Sequence, residues 1–452
     1  MIASESGSIV KAPTTLHRAV LNTVKGSAGN LVEWYDVYTY TVFVPYFESQ
    51  FFGTQDTRTT LYAYAVFAIT FLMRPVGSWF FGRYADRHGR RAAMVVSVSI
   101  MAAASFLIAI MPTHAMVGVW AAIGLMLCRL IQGFATGGEY GTSATYMSEA
   151  AVRNRRGFLS SFQYVTLVGG QVVAQLVLLI MTATMSEPAI KSWGWRVAFG
   201  IGGLAALVVM WIRRTMDESL TTQHLDDIKQ GRDQRSGTLT ELVTHYWRSL
   251  LLVFLITLGG TVAFYTYSVN APSIVRATVH PPFTATLVNL IGLLVLVALQ
   301  PIGGLISDRV GRKPLLIWSA AGGMAYTWIL FSTLPSVRNP WLALLLCVIG
   351  YVFLTGYTSI NAVVKAEQFP AHIRALGVGL GYAVANSIFG GTAPLVYQAA
   401  KAANAVPAFI GYVTVCLGIS LVVYIFFLRN RTETYLDREQ GHAFVPFDTE
   451  VD

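Results

Sequence analysis

GRYADRHGRR (Gly82–Arg91) returns later in the chain as GLISDRVGRK (Gly304–Lys313). Both stretches reduce to G-x-x-x-D-R-x-G-R-[KR], and each is a short basic link between two long apolar runs. A run of ~20 apolar residues is what a helix needs to cross a bilayer. The links therefore read as loops of a polytopic membrane protein. One motif at matched places in two halves predicts a duplication, with both copies on the same side of the membrane.

Composition points the same way. The chain is 54% hydrophobic and 12% charged, whereas a soluble domain carries about 25% charged residues. Backbone groups in lipid must be paired internally, which leaves helices or a closed barrel. The apolar runs are too long and continuous for barrel strands. The net charge of +9 sits in short links, so it does not point to nucleic acid. Cys128, Cys347 and Cys416 all fall in apolar runs, so neither a disulfide framework nor a metal site is expected. The first residues lack the apolar core of a cleavable signal, and the first helix is expected to stay as the signal. Neither G-x-S-x-G, H-E-x-x-H nor G-x-x-x-x-G-K-[ST] occurs, which argues against an enzyme, and no cofactor is expected.

Twelve spans are expected, near 22–51, 59–84, 92–112, 115–149, 157–184, 195–213, 247–274, 284–308, 314–334, 340–369, 373–400 and 405–428. The fold class is all-α, two parallel halves of six transmembrane helices. The divisions are an N-terminal segment 1–21, a first bundle 22–213, a polar linker 214–246, a second bundle 247–428 and a tail 429–452. Lys and Arg crowd into alternate links, around Arg87, Arg90 and Arg91, around Arg155 and Arg156, and around Arg309, Arg312 and Lys313. The positive-inside rule makes that side cytoplasmic, and both termini and the linker fall there.

A second repeat supports the duplication. Glu149 precedes Arg156 at the spacing by which Glu367 precedes Arg374, and Tyr164 and Tyr382 are related in the same way. Matched loops in matched order predict parallel repeats about an axis along the membrane normal, an arrangement of secondary transporters whose site lies between the halves near the midplane.

A charge at the centre of a spanning helix costs ~2.5–3.5 kcal/mol on insertion scales, so each asks for a partner or a watery cavity. Glu33 and Asp36 sit three residues apart on the first span, Arg74 lies deep in the second, and Arg129 and Glu139 lie in the fourth. A carboxylate whose arginine contact changes between two conformations can take up and release a proton, and Asp36 with Arg129, and Glu33, are candidates for that. An arginine that stays charged can hold a substrate carboxylate through paired hydrogen bonds, which is the expectation for Arg74. Tyr38, Tyr140, Tyr164, Tyr357, Tyr382 and Gln171 are candidates to line the cavity. Lys365 lies near a span end, where snorkelling to the interface is the simpler account. Trp193 and Trp195 read as interfacial anchors.

The repeated loops also predict a latch. Asp86 and Asp308 can accept from backbone donors at a neighbouring helix N-terminus. The loop arginines Arg87, Arg90, Arg309 and Arg312 can reach Glu149 or Glu367, with Arg156 and Arg374 beside them. Basic loops serve orientation anyway, but Gly82, Gly89, Gly304 and Gly311 and the two aspartates are not explained by orientation.

The paired loops, the Arg129-Leu-Ile-Gln132-Gly133 element and the twin Glu…Arg elements resemble the major facilitator superfamily over essentially the whole chain. GNLVEWYD, FLMRPVGSWFFGRYADRHGRR, RLIQGFATGGEYGTSATYMSEA and GFLSSFQYVTLVGGQ are similar to its metabolite:proton symporter family. That resemblance implies proton-coupled uptake of a carboxylate by alternating access across a bacterial inner membrane. It also implies coupling at the first-span acid and fourth-span arginine, here Asp36 and Arg129. A dicarboxylate is expected, with 2-oxoglutarate favoured. The partners implied are a small organic acid, protons and the lipid bilayer, with no nucleic acid, and a monomer is expected. The stretch at the end of the seventh span, TVAFYTYSVNAPSIVRATVHPP, with Arg276 as its one arginine or lysine, departs from the expected pattern. Citrate, itaconate or shikimate therefore remains an alternative acid. A transporter-like sensor would need a larger output module than 214–246.

Overall fold

The computed structural model describes residues 16–53, 57–428 and 434–439. Most of the N-terminal segment and of the tail lies outside these residues. The described chain is helical, and it forms twelve long helical units. They are α1 (Leu16–Phe52), α2 (Thr57–Leu72 and Arg74–His88), α3 (Arg90–Ile110), α4 (Trp120–Glu149), α5 (Arg156–Thr184) and α6 (Trp195–Arg214) in the first half. The second half has α7 (Trp247–Tyr265 and Ala271–Thr278), α8 (Pro282–Val310), α9 (Arg312–Thr333), α10 (Pro340–Thr358 and Asn361–Ala366), α11 (Arg374–Ala385 and Ala393–Ala402) and α12 (Val406–Phe426). Two short helices, Thr222–Lys229 and Leu239–His245, occupy the linker. Ten units are long and apolar enough to cross a membrane. The other two are α1, which carries Glu33 and Asp36, and α11, which is split into two short stretches.

The interruptions fall where the sequence demands them. Pro75 cannot donate a backbone N–H, so it sits in the first turn of the second stretch of α2, and Met73 marks the break. The motif glycines Gly89 and Gly311 have φ of 100° and 90°, a region that other L-residues rarely adopt. Each lets the chain end one long helix and begin the next with no intervening loop. That is the physical need for the second repeated glycine.

The halves meet along two symmetry-related seams. α2 packs on α11, and α5 packs on α8. α4 adds to the first seam, and Asn361–Ala366 packs against both α4 and α5. Within the first half, α4 carries a glycine face toward α2. A Cβ at Gly133 or Gly137 would strike the carbonyl of Thr70 or Arg74, and one at Gly77 would strike that of Phe134. Ser78 donates to the Gly137 carbonyl at 2.5 Å. This contact fixes the backbone of Arg74. Trp195 departs from the interfacial role expected of it. It is fully buried against Phe47, Phe51 and Phe199, whereas Trp193 is exposed.

Substituting Gly137→Leu should therefore overpack the α2–α4 contact and destabilise the protein by about 1–3 kcal/mol. The drop should show in the thermal unfolding midpoint of the purified protein in detergent. Gly200→Ala, where an added Cβ meets nothing within 4 Å, is the control expected to leave that midpoint in place.

Candidate functional site

Between the halves lies a small cavity, with about 10 Å³ of room for the centre of a water-sized sphere, lined by Glu33, Trp34, Arg74, Thr136, Gly137, Tyr140, Tyr382 and Ala383. Both halves contribute walls. The Arg74 guanidinium lies 4.0 Å from the Phe71 ring centroid and 5.1 Å from that of Trp34. Its Nε and Nη2 have no hydrogen-bond partner, and neither does Glu33 Oε2. Nε and Nη2 form the side-on edge of a guanidinium, the edge whose two parallel N–H groups match a carboxylate. Further buried, unpartnered polar atoms belong to Tyr38, Gln171, Tyr265, Asn361 and Asn386. Native interiors leave few such atoms without a reason.

Asp36 does not join Glu33 in this cavity, although it lies only three residues further along α1. It turns toward α3 and α4. Ser105 donates to its Oδ1 at 2.7 Å, and Arg129 Nη1 lies 3.5 Å from Oδ2. Arg129 Nη1 also donates to Gln132 Oε1 at 2.8 Å, and Gln132 donates to Ser105 at 3.0 Å. The Tyr40 ring lies 4.3 Å from the Arg129 guanidinium. The aspartate–arginine contact is thus a single long approach inside a closed polar ring. Glu139 pairs with Arg213 rather than with Arg74 or Arg129, through two contacts, one of them 2.7 Å. Arg213 also donates to the carbonyls of Met94 and Gly26. Sequence reasoning missed Arg213 because it closes an apolar run, where a basic residue looks like a boundary mark.

The tyrosine candidates do converge. Tyr140 and Tyr382 stack across the halves with ring centroids 3.5 Å apart. Asn361 donates to the hydroxyls of Tyr140 and Tyr164, at 2.8 and 3.2 Å. Tyr38 packs beside Trp34, and Gln171 reaches the Ser268 carbonyl of the other half at 3.4 Å. Lys365 corrects its expectation. It does not snorkel, but is fully buried and donates to the hydroxyls of Tyr140 and Tyr357 at 3.3 and 3.4 Å. The break in α10 at Ser359 and Ile360 starts a new helical stretch there. Asn361 and Lys365, one turn apart, share its face toward the first half.

At the basic-loop end the halves are tied reciprocally. Asp86 accepts from the backbone N–H of Ala375 and Leu376 at 3.1 and 3.0 Å, at the start of α11. Asp308 accepts from Gly157 and Phe158 at 2.7 and 2.9 Å, at the start of α5. Gly82 and Gly304 permit the approach, since a Cβ would meet Leu376 Cα at 2.7 Å and the Gly157 carbonyl at 2.5 Å. Arg90 holds Asp86 at 2.5 Å and Glu149 at 3.1 Å, and Arg374 reaches Glu149 at 2.7 Å from the other half. Arg312 holds Asp308 at 2.9 Å and Glu367 at 3.5 Å. Two of the loop arginines depart from expectation. Arg87 donates to the linker carbonyls of Ser236 and Gln234 rather than to a glutamate, and Arg309 is exposed.

The tail adds two carboxylates that the sequence did not suggest. Asp437 pairs with Arg156 at 2.6 Å, and Glu439 pairs with Arg374 and accepts from Ala371 N–H at 2.7 Å. Burial works against the Asp437 charge, but Arg156 and the Thr434 hydrogen bonds outweigh it and hold the carboxyl below its usual range.

Residues 27–394 and 253–449 match the Major Facilitator Superfamily, and the chain belongs to that superfamily. It is a multi-pass membrane protein. It is 41% identical over 416 residues to the alpha-ketoglutarate permease of Escherichia coli (strain K12), covering 91% of this chain and 94% of that one. It is 31% identical over 382 residues to a citrate-proton symporter of Klebsiella pneumoniae, covering 82% and 83%. Among solved structures, the proton:xylose symporter XylE bound to 6-bromo-6-deoxy-D-glucose superposes with a TM-score of 0.74 at 19% identity, over 92% of this chain and 96% of that one. That likeness shows the fold.

Removing one partner of a buried ion pair leaves an uncompensated charge and costs about 3–5 kcal/mol. Arg213→Leu should lower the unfolding midpoint strongly, and Arg213→Leu combined with Glu139→Leu should recover much of that loss. Additive losses in a double-mutant cycle of thermal unfolding would contradict the pairing as the cause.

Proposed function

We propose that this chain is a proton-coupled symporter of an organic dicarboxylate, 2-oxoglutarate first among them, working by alternating access in a bacterial inner membrane. The basic loops and both termini lie on the cytoplasmic side, and the protein works as a monomer. The observation that carries the reading is the cavity between the halves, where Arg74 presents an unpartnered side-on edge. An enclosed guanidinium edge suits a carboxylate better than a neutral solute. The similarity to the alpha-ketoglutarate permease supports 2-oxoglutarate, and the similarity to citrate-proton symporters keeps citrate as the second reading.

Roles follow from placement. Arg74 binds substrate, with Tyr38, Tyr140, Tyr164, Tyr357, Tyr382 and Gln171 as wall groups. Asp36 and Arg129 form the coupling pair. A proton on Asp36 removes the charge that faces Arg129 and leaves Ser105 and Gln132 to rearrange around a neutral acid. Glu33 lines the cavity itself on α1, and it carries the second exchangeable proton position. The Asp86–Arg90–Glu149–Arg374 and Asp308–Arg312–Glu367 sets, with Arg156, latch the cytoplasmic end closed. A dianion is repelled from the cell interior by ~2.3 kcal/mol per charge per 100 mV, and cotransported protons offset that.

In proteoliposomes with an imposed pH gradient, Asp36→Asn should abolish uphill accumulation of 2-oxoglutarate while leaving exchange of internal for external substrate. Normal accumulation in that variant would refute the coupling role. Arg74→Ala should raise the half-saturating concentration about 10–100-fold, the loss of a charge-assisted pair of hydrogen bonds at ~1.5–3 kcal/mol. An unchanged value, measured by substrate titration of uptake, would remove Arg74 from the site.

A further inference from the structure

Seven basic side chains are buried among the described residues: Arg74, Arg90, Arg129, Arg156, Arg213, Arg374 and Lys365. Five have a carboxylate within ion-pair distance, at Glu149 or Asp86 for Arg90, Asp36 for Arg129, Asp437 for Arg156, Glu139 for Arg213 and Glu149 for Arg374. Arg74 and Lys365 are the two without one among the described residues. They come from opposite halves, and both lie beside one object, the stacked Tyr140–Tyr382 pair. Arg74 lines the cavity with both rings. Lys365 Nζ stands 4.5 Å from the Tyr382 centroid and 5.3 Å from that of Tyr140.

We propose that Lys365 is a second anion-binding group of the transport site, and that it takes the substrate carboxylate remote from the one held by Arg74 when the Tyr140–Tyr382 stack parts. This rests on the reading of the chain as a carboxylate symporter. A lysine whose only task was to fill this space would be a poor choice. An unbranched apolar side chain would pack against the same three rings without a charge to desolvate. Intramembrane ionisable residues without a protein partner mark substrate or ion pathways. The tyrosine rings and hydroxyls hold the ammonium in the empty site by weaker cation–π and long hydrogen bonds. A carboxylate that displaced them would supply a full charge in their place. Asn361 Oδ1, one turn away, is buried without a partner.

The arrangement has a consequence for selectivity. A monocarboxylate satisfies Arg74 alone, from the first half. A dicarboxylate of sufficient length bridges Arg74 and Lys365, and so bridges the two halves. The charge on the second carboxyl then becomes the feature that the site reads.

The test compares 2-oxopentanedioate (2-oxoglutarate) with 2-oxopentanoate, which has the same carbon chain and lacks the terminal carboxylate. Equilibrium binding of each is measured on the purified full-length protein, on Lys365→Gln, and on Lys365→Arg. The unsubstituted protein should prefer the diacid by at least about 30-fold. Lys365→Gln should weaken the diacid about 10–100-fold, to near the monoacid value, with monoacid binding unchanged. Lys365→Arg should keep the diacid within a few-fold. Unchanged monoacid binding in Lys365→Gln also shows that the variant is folded. A diacid preference near one in the unsubstituted protein overturns the proposal without any variant, as does an equal loss of both acids in Lys365→Gln. If the unsubstituted protein binds neither of these acids nor citrate, the symporter reading itself falls. If it binds the diacid and Lys365→Gln binds it equally well, only the role of Lys365 falls.

Discussion

Each half of the molecule reaches an aspartate across to the first turn of a helix in the other half. Asp86 takes two backbone N–H groups of α11, and Asp308 takes two of α5. The first turn of a helix has donors that its own backbone cannot satisfy, and the helix dipole favours a negative charge there. The contact is therefore strong but needs exact closeness, which is why Gly82 and Gly304 lie beneath it. It also depends on backbone at the partner, so it can form only when the halves close at that end. Arg90 and Arg312 then bind the same aspartates and carry the tie on to Glu149 and Glu367. Orientation of the two halves, closure of one end and the position of the seams all follow from this pair of contacts.

The repeated loop was legible because period and charge are both sequence properties. Membrane class, duplication and the use of Asp86 and Asp308 as acceptors at a neighbouring helix start could be read from one motif and its copy, whereas the helix number came from the apolar runs. The partners of the buried charges were less accessible. Glu139 finds Arg213 through the packing of α3, α4 and α6, and nothing in the spacing of either residue points to the other. Glu33 and Asp36 share a helix face by spacing, yet they face different neighbours. Two residues three apart on a helix diverge by about 60°, which is enough to divide them between a cavity and a helix contact. Lys365 misled for a related reason. Distance from a span end counts residues along the chain, whereas its burial comes from the break in α10, from Tyr140 of the other half and from Tyr357 and Tyr382 of its own. The tail carboxylates Asp437 and Glu439 have no repeat to announce them at all.

The interface between the halves is polar in two different ways. At the basic-loop end, Asp86 and Glu149 accept from both halves, and Arg90, Arg312 and Arg374 are paired. A buried network of this kind stabilises one arrangement strongly. Midway along α2 and α11 the opposite holds. Arg74, Glu33, Tyr38, Asn361 and Asn386 each keep a buried atom without a partner, which costs about 1–3 kcal/mol per group. The two regions therefore differ, since the loop end is satisfied by the protein's own groups and the centre leaves polar atoms for a ligand to meet. A ligand that satisfied the central groups would lower the energy of the closed form by removing that penalty. Water admitted from either side would lower the energy of an open form instead. A carrier has to close over its cargo more readily than over nothing, and central groups that a ligand would satisfy, beside a loop end paired within the protein, would supply that difference.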